Sequence, residues 1–142
     1  MTDWKSNLSR PKGYENHTFP FVVNKGWGWE RWLELFYDEN TGREYCMKQI
    51  YIKAGTRTSL QVHKKKIETN FLLQGKAEAF LENNQGEMEK RIMEGGDSER
   101  NVWTIEAGKT HRIVALTDIL LIESSTPEVD DVIRIEDDYG RK

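Results

Sequence analysis

Residues 58–94 read TSLQVHKKKIETNFLLQGKAEAFLENNQGEMEKRIME, and this stretch decides which kind of fold the chain adopts. Gly75 and the segment 83–86 (NNQG) interrupt it with residues that favour tight turns. Between the interruptions lie short runs rich in β-branched, aromatic and other apolar residues, at 58–62, 67–74, 76–83 and 87–94. The stretch therefore predicts consecutive strands, several of them joined as hairpins.

The same alternation of short runs and turn residues continues on both sides, and no segment predicts a helix. Further strands are expected at 29–37, 44–53, 101–105, 110–116, 118–124 and 131–136. About ten short strands without helices predict an all-β fold, either an antiparallel sandwich, a jelly roll or a barrel. Parallel βαβ architectures are disfavoured because no segment supplies their crossover helices.

The first 20 residues differ from the rest of the chain. Residues 1–20 have no hydrophobic periodicity and contain two of the three prolines. We predict an N-terminal arm over 1–20 and a single domain over 21–142. The arm carries Trp4, Tyr14 and Phe19, which need a surface on which to be buried. We therefore expect the arm to pack across a neighbouring subunit in a homodimer.

The composition narrows the classes of partner. The 142 residues include 21 Lys and Arg against 24 Asp and Glu, a net charge of −3 with the two signs interspersed. This balance argues against nucleic acid or an anionic membrane as the partner and favours a small molecule. One cysteine, no signal region and no apolar run of membrane-spanning length predict a cytoplasmic protein.

Two of the three histidines fall where they can share a site. Gln61 and His63 lie two residues apart on a predicted strand and therefore project to the same face. Four residues then suffice for a turn, so the returning strand brings Glu68 to that interior, and His111 arrives from a separate hairpin. Two imidazoles, one carboxylate and one amide oxygen predict a site for one divalent metal ion. Mixed nitrogen and oxygen ligands without sulfur fit zinc, manganese, iron, cobalt or nickel, and we expect zinc.

These motifs resemble the two-part signature of the cupins. The pattern Gly-x5-His-x-His-x4-Glu-x6-Gly runs from Gly55 to Gly75 with Gln61 in place of its first histidine, and Gly108-x2-His111 resembles its second part. Over about 23–141 the chain is similar to the cupin domain of type II mannose-6-phosphate isomerases, in the segments KGWG (25–28), SLQVH (59–63), GKTHR (108–112) and DVIRIEDDYGR (131–141). The resemblance implies a jelly-roll barrel with one metal ion inside. It also implies interconversion of mannose 6-phosphate and fructose 6-phosphate.

For such an enzyme, three further residues are candidates for catalysis. Arg134 and Lys66 are expected to hold the phosphate of a sugar phosphate, and Glu123 is the candidate base. The sequence leaves a plainer interpretation open for each of them: a salt bridge from Arg134 to Glu136 or Asp137, a solvated turn over Lys64–Lys66, and an exposed strand edge at Glu123.

Two other classes of function stay open at this stage. Residues 64–70 (KKKIETN) depart from the pattern of the isomerases, and we expect no sugar-nucleotide transferase domain beside the cupin-like region. A metal-bearing cupin that binds a sugar, or regulates another protein, without turnover is therefore an alternative. A metal-dependent dioxygenase is a third, because cupins with similar sites handle oxygen when iron is bound.

Overall fold

The structure is a computed structural model that describes residues 6–142. These residues form eleven β-strands and no helix. The strands are β1 (Phe21–Lys25), β2 (Gly28–Asp38), β3 (Arg43–Ile52), β4 (Leu60–Val62), β5 (Glu68–Gln74), β6 (Lys76–Glu82), β7 (Met88–Glu94), β8 (Val102–Ile105), β9 (His111–Ala115), β10 (Ile119–Ser125) and β11 (Ile133–Glu136).

The strands form two antiparallel sheets. The six-stranded sheet has the order β1-β2-β3-β10-β5-β8, and the five-stranded sheet has the order β11-β4-β9-β6-β7. The all-β prediction is confirmed, and each of the ten predicted strands is present with shifted ends. The additional strand, β1, pairs with β2 through a two-residue turn between Lys25 and Gly28. None of the described residues forms a helix that is long and apolar enough to cross a membrane.

The core lies between the two sheets and is built by the alternation of side chains along each strand. On β10 the inward residues are Ile119, Leu121, Glu123 and Ser125, and all four are buried. The first two are apolar and the last two are polar. The strand therefore contributes to an apolar core at one end and to a polar interior at the other.

Neighbouring strands repeat this gradient in register. On β3, Ile52 and Ile50 are inward at one end and Lys48 is inward at the other, where it pairs across the ladder with Glu123. On β5, Leu72 lies at the apolar end and Asn70 faces the polar interior. Charged side chains consequently converge at one end of the barrel.

The N-terminal arm packs on its own chain. Tyr14 and Phe19 contact a second buried cluster formed by Trp32, Leu35 and Cys46. Within the single chain the arm finds an apolar surface on β2 and β3, and the expectation that a partner subunit buries these rings stays a prediction. Trp4 lies outside the described residues, and the homodimer stays a prediction.

Two adjacent leucines test the pleat of β5. Leu72 is fully buried and Leu73 is 43% exposed. We expect Leu72→Ala to lower the free energy of unfolding by about 2–5 kcal/mol because it leaves a cavity between the sheets. The matched control, Leu73→Ala, should cost less than about 1 kcal/mol. Chemical denaturation measures both, and equal losses would contradict the inward and outward assignment.

Candidate metal centre

Three buried side chains from different parts of the chain meet at the polar end of the barrel. His63 follows β4, Glu68 begins β5 and His111 begins β9. One ligand atom from each lies within 4.8 Å of the other two. The Oε1 atom of Glu68 is 3.2 Å from Nε2 of His111 and 3.7 Å from Nε2 of His63. The structure thus brings together three of the four residues predicted to bind a metal.

The main chain fixes how both imidazoles are presented. Nδ1 of His63 donates to the carbonyl of Asp131, and Nδ1 of His111 donates to the carbonyl of Lys109 at 3.0 Å. In the neutral rings both Nε2 atoms therefore carry lone pairs, and both face the carboxylate of Glu68. Nε2 of His63 is buried and has no hydrogen-bond partner among the described residues.

Three hydrogen-bond acceptors directed at one another in a buried site repel unless a positive charge lies between them. Metal–ligand distances of about 2.0–2.2 Å bring the ligand atoms of a zinc-like site to separations of this size. Outer partners that hold Nδ1 are also the usual support of a metal-binding histidine. The donor set of His63, Glu68 and His111 therefore fits a divalent metal ion.

Gln61 lies beside this group and not within it. Its Nε2 atom is 3.3 Å from Nε2 of His111, and its Oε1 accepts a hydrogen bond from Ser59 at 2.9 Å. In this orientation the amide nitrogen, which is no metal ligand, faces the site. Rotation of the amide by 180° exchanges the two atoms and presents Oε1 to the metal position. The role of Gln61 as a fourth ligand stays a prediction.

Asp131 organises the turn that carries the site. Its carboxylate accepts hydrogen bonds from the backbone N–H groups of Lys64, Lys65 and Lys66 at 2.6–3.1 Å. Its own carbonyl holds His63. Lys64 and Lys65 point outward and are exposed, which agrees with a solvated turn for these two residues.

Lys66 has turned inward and is 5% exposed. Its ammonium lies 3.3 Å from Glu68 and 3.2 Å from Glu123, and these carboxylates outweigh burial and raise the pKa of Lys66. The expectation that Lys66 holds a phosphate is corrected, because two carboxylates already neutralise its charge. Its position between Glu68 and Glu123 instead links a candidate metal ligand to the candidate base.

Glu123 is a buried carboxyl with unusual proton affinity. Burial and the neighbouring charge of Glu68 raise its pKa to about 8, although Lys66 acts in the opposite direction. Burial also opposes ionisation of Glu68, but its contacts with Glu123, the two imidazoles and Lys66 outweigh burial and hold its pKa well below the usual range. Glu123 is inward and not on an exposed edge, so it is placed to take up and release a proton near neutral pH.

Arg134 pairs across the ladder with Gln61 and lines the interior. Ile133 and Ile135 on either side of it are 44% and 54% exposed. The alternative interpretation of a salt bridge to Glu136 or Asp137 is wrong, because these carboxylates pair with Arg112 and Arg141.

Two cavities meet at this group. The inner one, of about 100 Å³, is lined by Glu68 and His111, and the outer one, of about 580 Å³, is lined by His63 and Lys66. The residues that line both cavities mark the boundary between them: Lys25, Glu30, Gln61, Glu123 and Arg134. The candidate metal centre therefore lies where an open mouth narrows into the core.

Sequence reasoning missed Lys25, Glu30 and Lys48 as lining residues. The sequence pattern could have indicated Lys48 as a lining residue, because Lys48 occupies an inward position in the alternation of β3. Its charge is accommodated by Glu30 at 3.6 Å and by the ring of Trp32, whose centroid is 4.1 Å away.

Solved structures show the fold. Oxalate decarboxylase from Bacillus subtilis is 16% identical, with a TM-score of 0.68 over 82% of this chain and 30% of its own. The capsular polysaccharide assembling protein CapF from Staphylococcus aureus is 19% identical, with a TM-score of 0.66 over 82% of this chain and 34% of its own. The chain thus has the jelly-roll fold of the cupins and spans about a third of these neighbours. No protein-family model and no curated protein matches it.

Removal of single ligands tests the metal centre. We expect the wild-type protein to bind about one divalent ion per chain, and His63→Ala and Glu68→Gln to lose most of it because each removes a donor. The control is His17→Ala, since His17 is exposed on the arm. Metal content by mass spectrometry measures the effect. Full metal occupancy in both variants would contradict the assignment.

The raised pKa of Glu123 predicts a pH dependence of stability. Its stabilising contribution is complete below the ordinary value of 4.5 and is lost as the pH rises towards about 8, because the unfolded chain ionises first. With a chelator present, the free energy of unfolding should fall across this window, at up to about 1.4 kcal/mol per pH unit from this group. Denaturation series should be flatter for Glu123→Gln than for wild type or the exposed control Glu99→Gln. Parallel curves would contradict the prediction.

Proposed function

We propose that this chain is a metal-dependent aldose–ketose isomerase that acts on a sugar phosphate, with mannose 6-phosphate and fructose 6-phosphate as the first substrates to test. The proposal rests on the residues that line both the inner and the outer cavity. A metal-binding group, a carboxyl with acid–base capacity and basic side chains all face the same space there. The fold and metal donors support a metal-binding cupin, and the acid–base group supports catalysis.

The reaction moves a proton from C2 to C1 of the sugar and a hydroxyl proton from O2 to O1. No oxidant or reductant is needed, because C1 is reduced by two electrons while C2 is oxidised by two, through an enediol. A base must therefore remove the C2 proton, keep it from solvent and return it to C1. The polar groups around the two oxygens must favour the enediol over the sugar.

Glu123 meets the requirements for the base. Its carboxylate accepts the C2 proton and, as the acid, returns it to C1. A pKa of about 8 makes both steps accessible near neutral pH. The residue is only 7% exposed, which limits exchange of that proton with water. Lys66 holds Glu123 in place through its 3.2 Å contact.

A divalent ion bound by His63, Glu68 and His111 would supply positive charge for the sugar oxygens. The chain's own contribution is to orient these donors, through the carbonyls of Asp131 and Lys109, towards the cavity that Glu123 lines. Glu123 and the three metal donors would then lie on adjacent sides of a bound sugar phosphate.

An assay with metal-reconstituted protein and a panel of hexose phosphates tests the proposal. We expect turnover of at least one member. Glu123→Gln should reduce kcat by about 10²-fold or more because it removes proton transfer while its metal content is unchanged. The control Glu99→Gln should retain wild-type kcat. For wild type, the rate should rise with pH as Glu123 ionises.

Absence of turnover on every hexose phosphate, in protein shown to contain its metal, would overturn the isomerase and favour a cupin that binds its ligand without chemistry. Wild-type kcat in Glu123→Gln, at full metal content, would remove Glu123 as the base.

A further inference from the structure

The charges around the two cavities do not balance. Most basic side chains there have a carboxylate within 4 Å: Lys48 with Glu30, Lys66 with Glu68 and Glu123, Arg112 with Glu136, and Arg141 with Asp137. Three lining cations, Lys25, Arg134 and Lys142, have no Asp or Glu partner at that distance in the described part of the chain. Lys25 and Arg134 lie on the boundary between the inner and outer cavities, whereas Lys142 lines the outer one alone.

Lys25 is held among other cations. It ends β1 at the turn to β2 and is partly buried. Burial lowers its pKa; Glu30 opposes this effect, and Arg141, Lys48 and Arg134 lower the pKa further. Like charges gathered at a partly dry surface are unfavourable without an anion. Lys25 therefore lies where a bound anion would be stabilised.

Arg134 has hydrogen-bonding capacity that the protein does not use. Its Nη1 donates to the main-chain oxygen of Lys142 at 2.9 Å, while its buried Nε has no partner among residues 6–142. A buried guanidinium N–H without an acceptor is costly, and a ligand oxygen removes that cost. The planar donor edge of arginine suits phosphate and carboxylate groups.

We propose that Lys25 and Arg134 form an anion subsite at the boundary of the two cavities, which binds the phosphate or carboxylate group of a ligand whose other end reaches the metal centre. The subsite rests on the proposed function only in taking this cavity as the ligand site, and it does not depend on turnover. Arg134 is opposite Gln61, and Gln61 contacts His111. The anion is therefore adjacent to the metal position, and the ligand is small.

Lys25 should limit stability in the absence of ligand. Because it is a partly buried cation with no Asp or Glu within 4 Å, its replacement by a neutral side chain of similar length relieves repulsion. Lys25→Met is expected to melt at or above the wild-type temperature. A residue that served only a structural ion pair would show the reverse.

Binding of inorganic phosphate to the full-length, metal-loaded protein tests the subsite. We expect calorimetry to show that Lys25→Met and Arg134→Met each weaken binding by at least about 10-fold, because each loses a charge-assisted contact. The matched controls are Lys53→Met and Arg31→Met, which replace exposed residues of the same types. Phosphate should raise the melting temperature of wild type and controls more than that of the two variants, at equal metal content.

Binding of acetate and of mannose, measured in parallel, distinguishes a phosphate group from a carboxylate group and both of these from an uncharged sugar. Tighter binding of phosphate than of acetate supports a phosphate ester, and the reverse supports a carboxylate ligand; both support an anion subsite. Unchanged phosphate affinity in both variants, or equal affinity for mannose and phosphate, would overturn it. Loss of phosphate binding in the variants, without turnover of any hexose phosphate, would retain the subsite and reject the isomerase.

Discussion

The arrangement of this molecule depends on the repulsion between acceptors that the fold brings together at one end of the barrel. Main-chain carbonyls occupy Nδ1 of His63 and His111, so both rings direct lone pairs towards the carboxylate of Glu68. A buried site of this kind is stable only when a positive charge occupies its centre. Lys66 supplies part of that charge from the side of Glu123, and a metal ion fits the remainder.

The surrounding polar interior follows from strand alternation. Isoleucine and leucine at one end of β3, β5 and β10 give way in register to Lys48, Asn70 and Glu123 at the other. A jelly roll can bury these charges because Glu30 on the adjacent strand β2 meets Lys48, and Lys66 in the turn before β5 meets Glu123. The barrel therefore has an apolar half and a polar half, and the polar half is suited to ligand binding.

Much of this could be predicted from local sequence. Short runs and turn residues predicted the all-β class, and the spacing of Gln61, His63 and Glu68 predicted a shared interior, where His63 and Glu68 do meet. Other features depend on contacts between distant segments. Nothing near Lys66 indicates that its side chain turns inward to meet Glu123, which lies 57 residues away. Likewise, β1 forms because β2 offers an edge, and the arm is covered by its own barrel because Trp32, Leu35 and Cys46 form an apolar surface there.

Asp131 gives the candidate metal centre a local stability of its own. Three amide N–H groups between Lys64 and Lys66 are held by its side chain, and the ring of His63 is held by its carbonyl. Amide exchange at these three positions and the orientation of one candidate ligand thus belong to a single unit of local unfolding. Opening of that unit would disperse the donors while the two sheets remain folded, so a metal ion bound there would exchange at a rate unrelated to that of global unfolding.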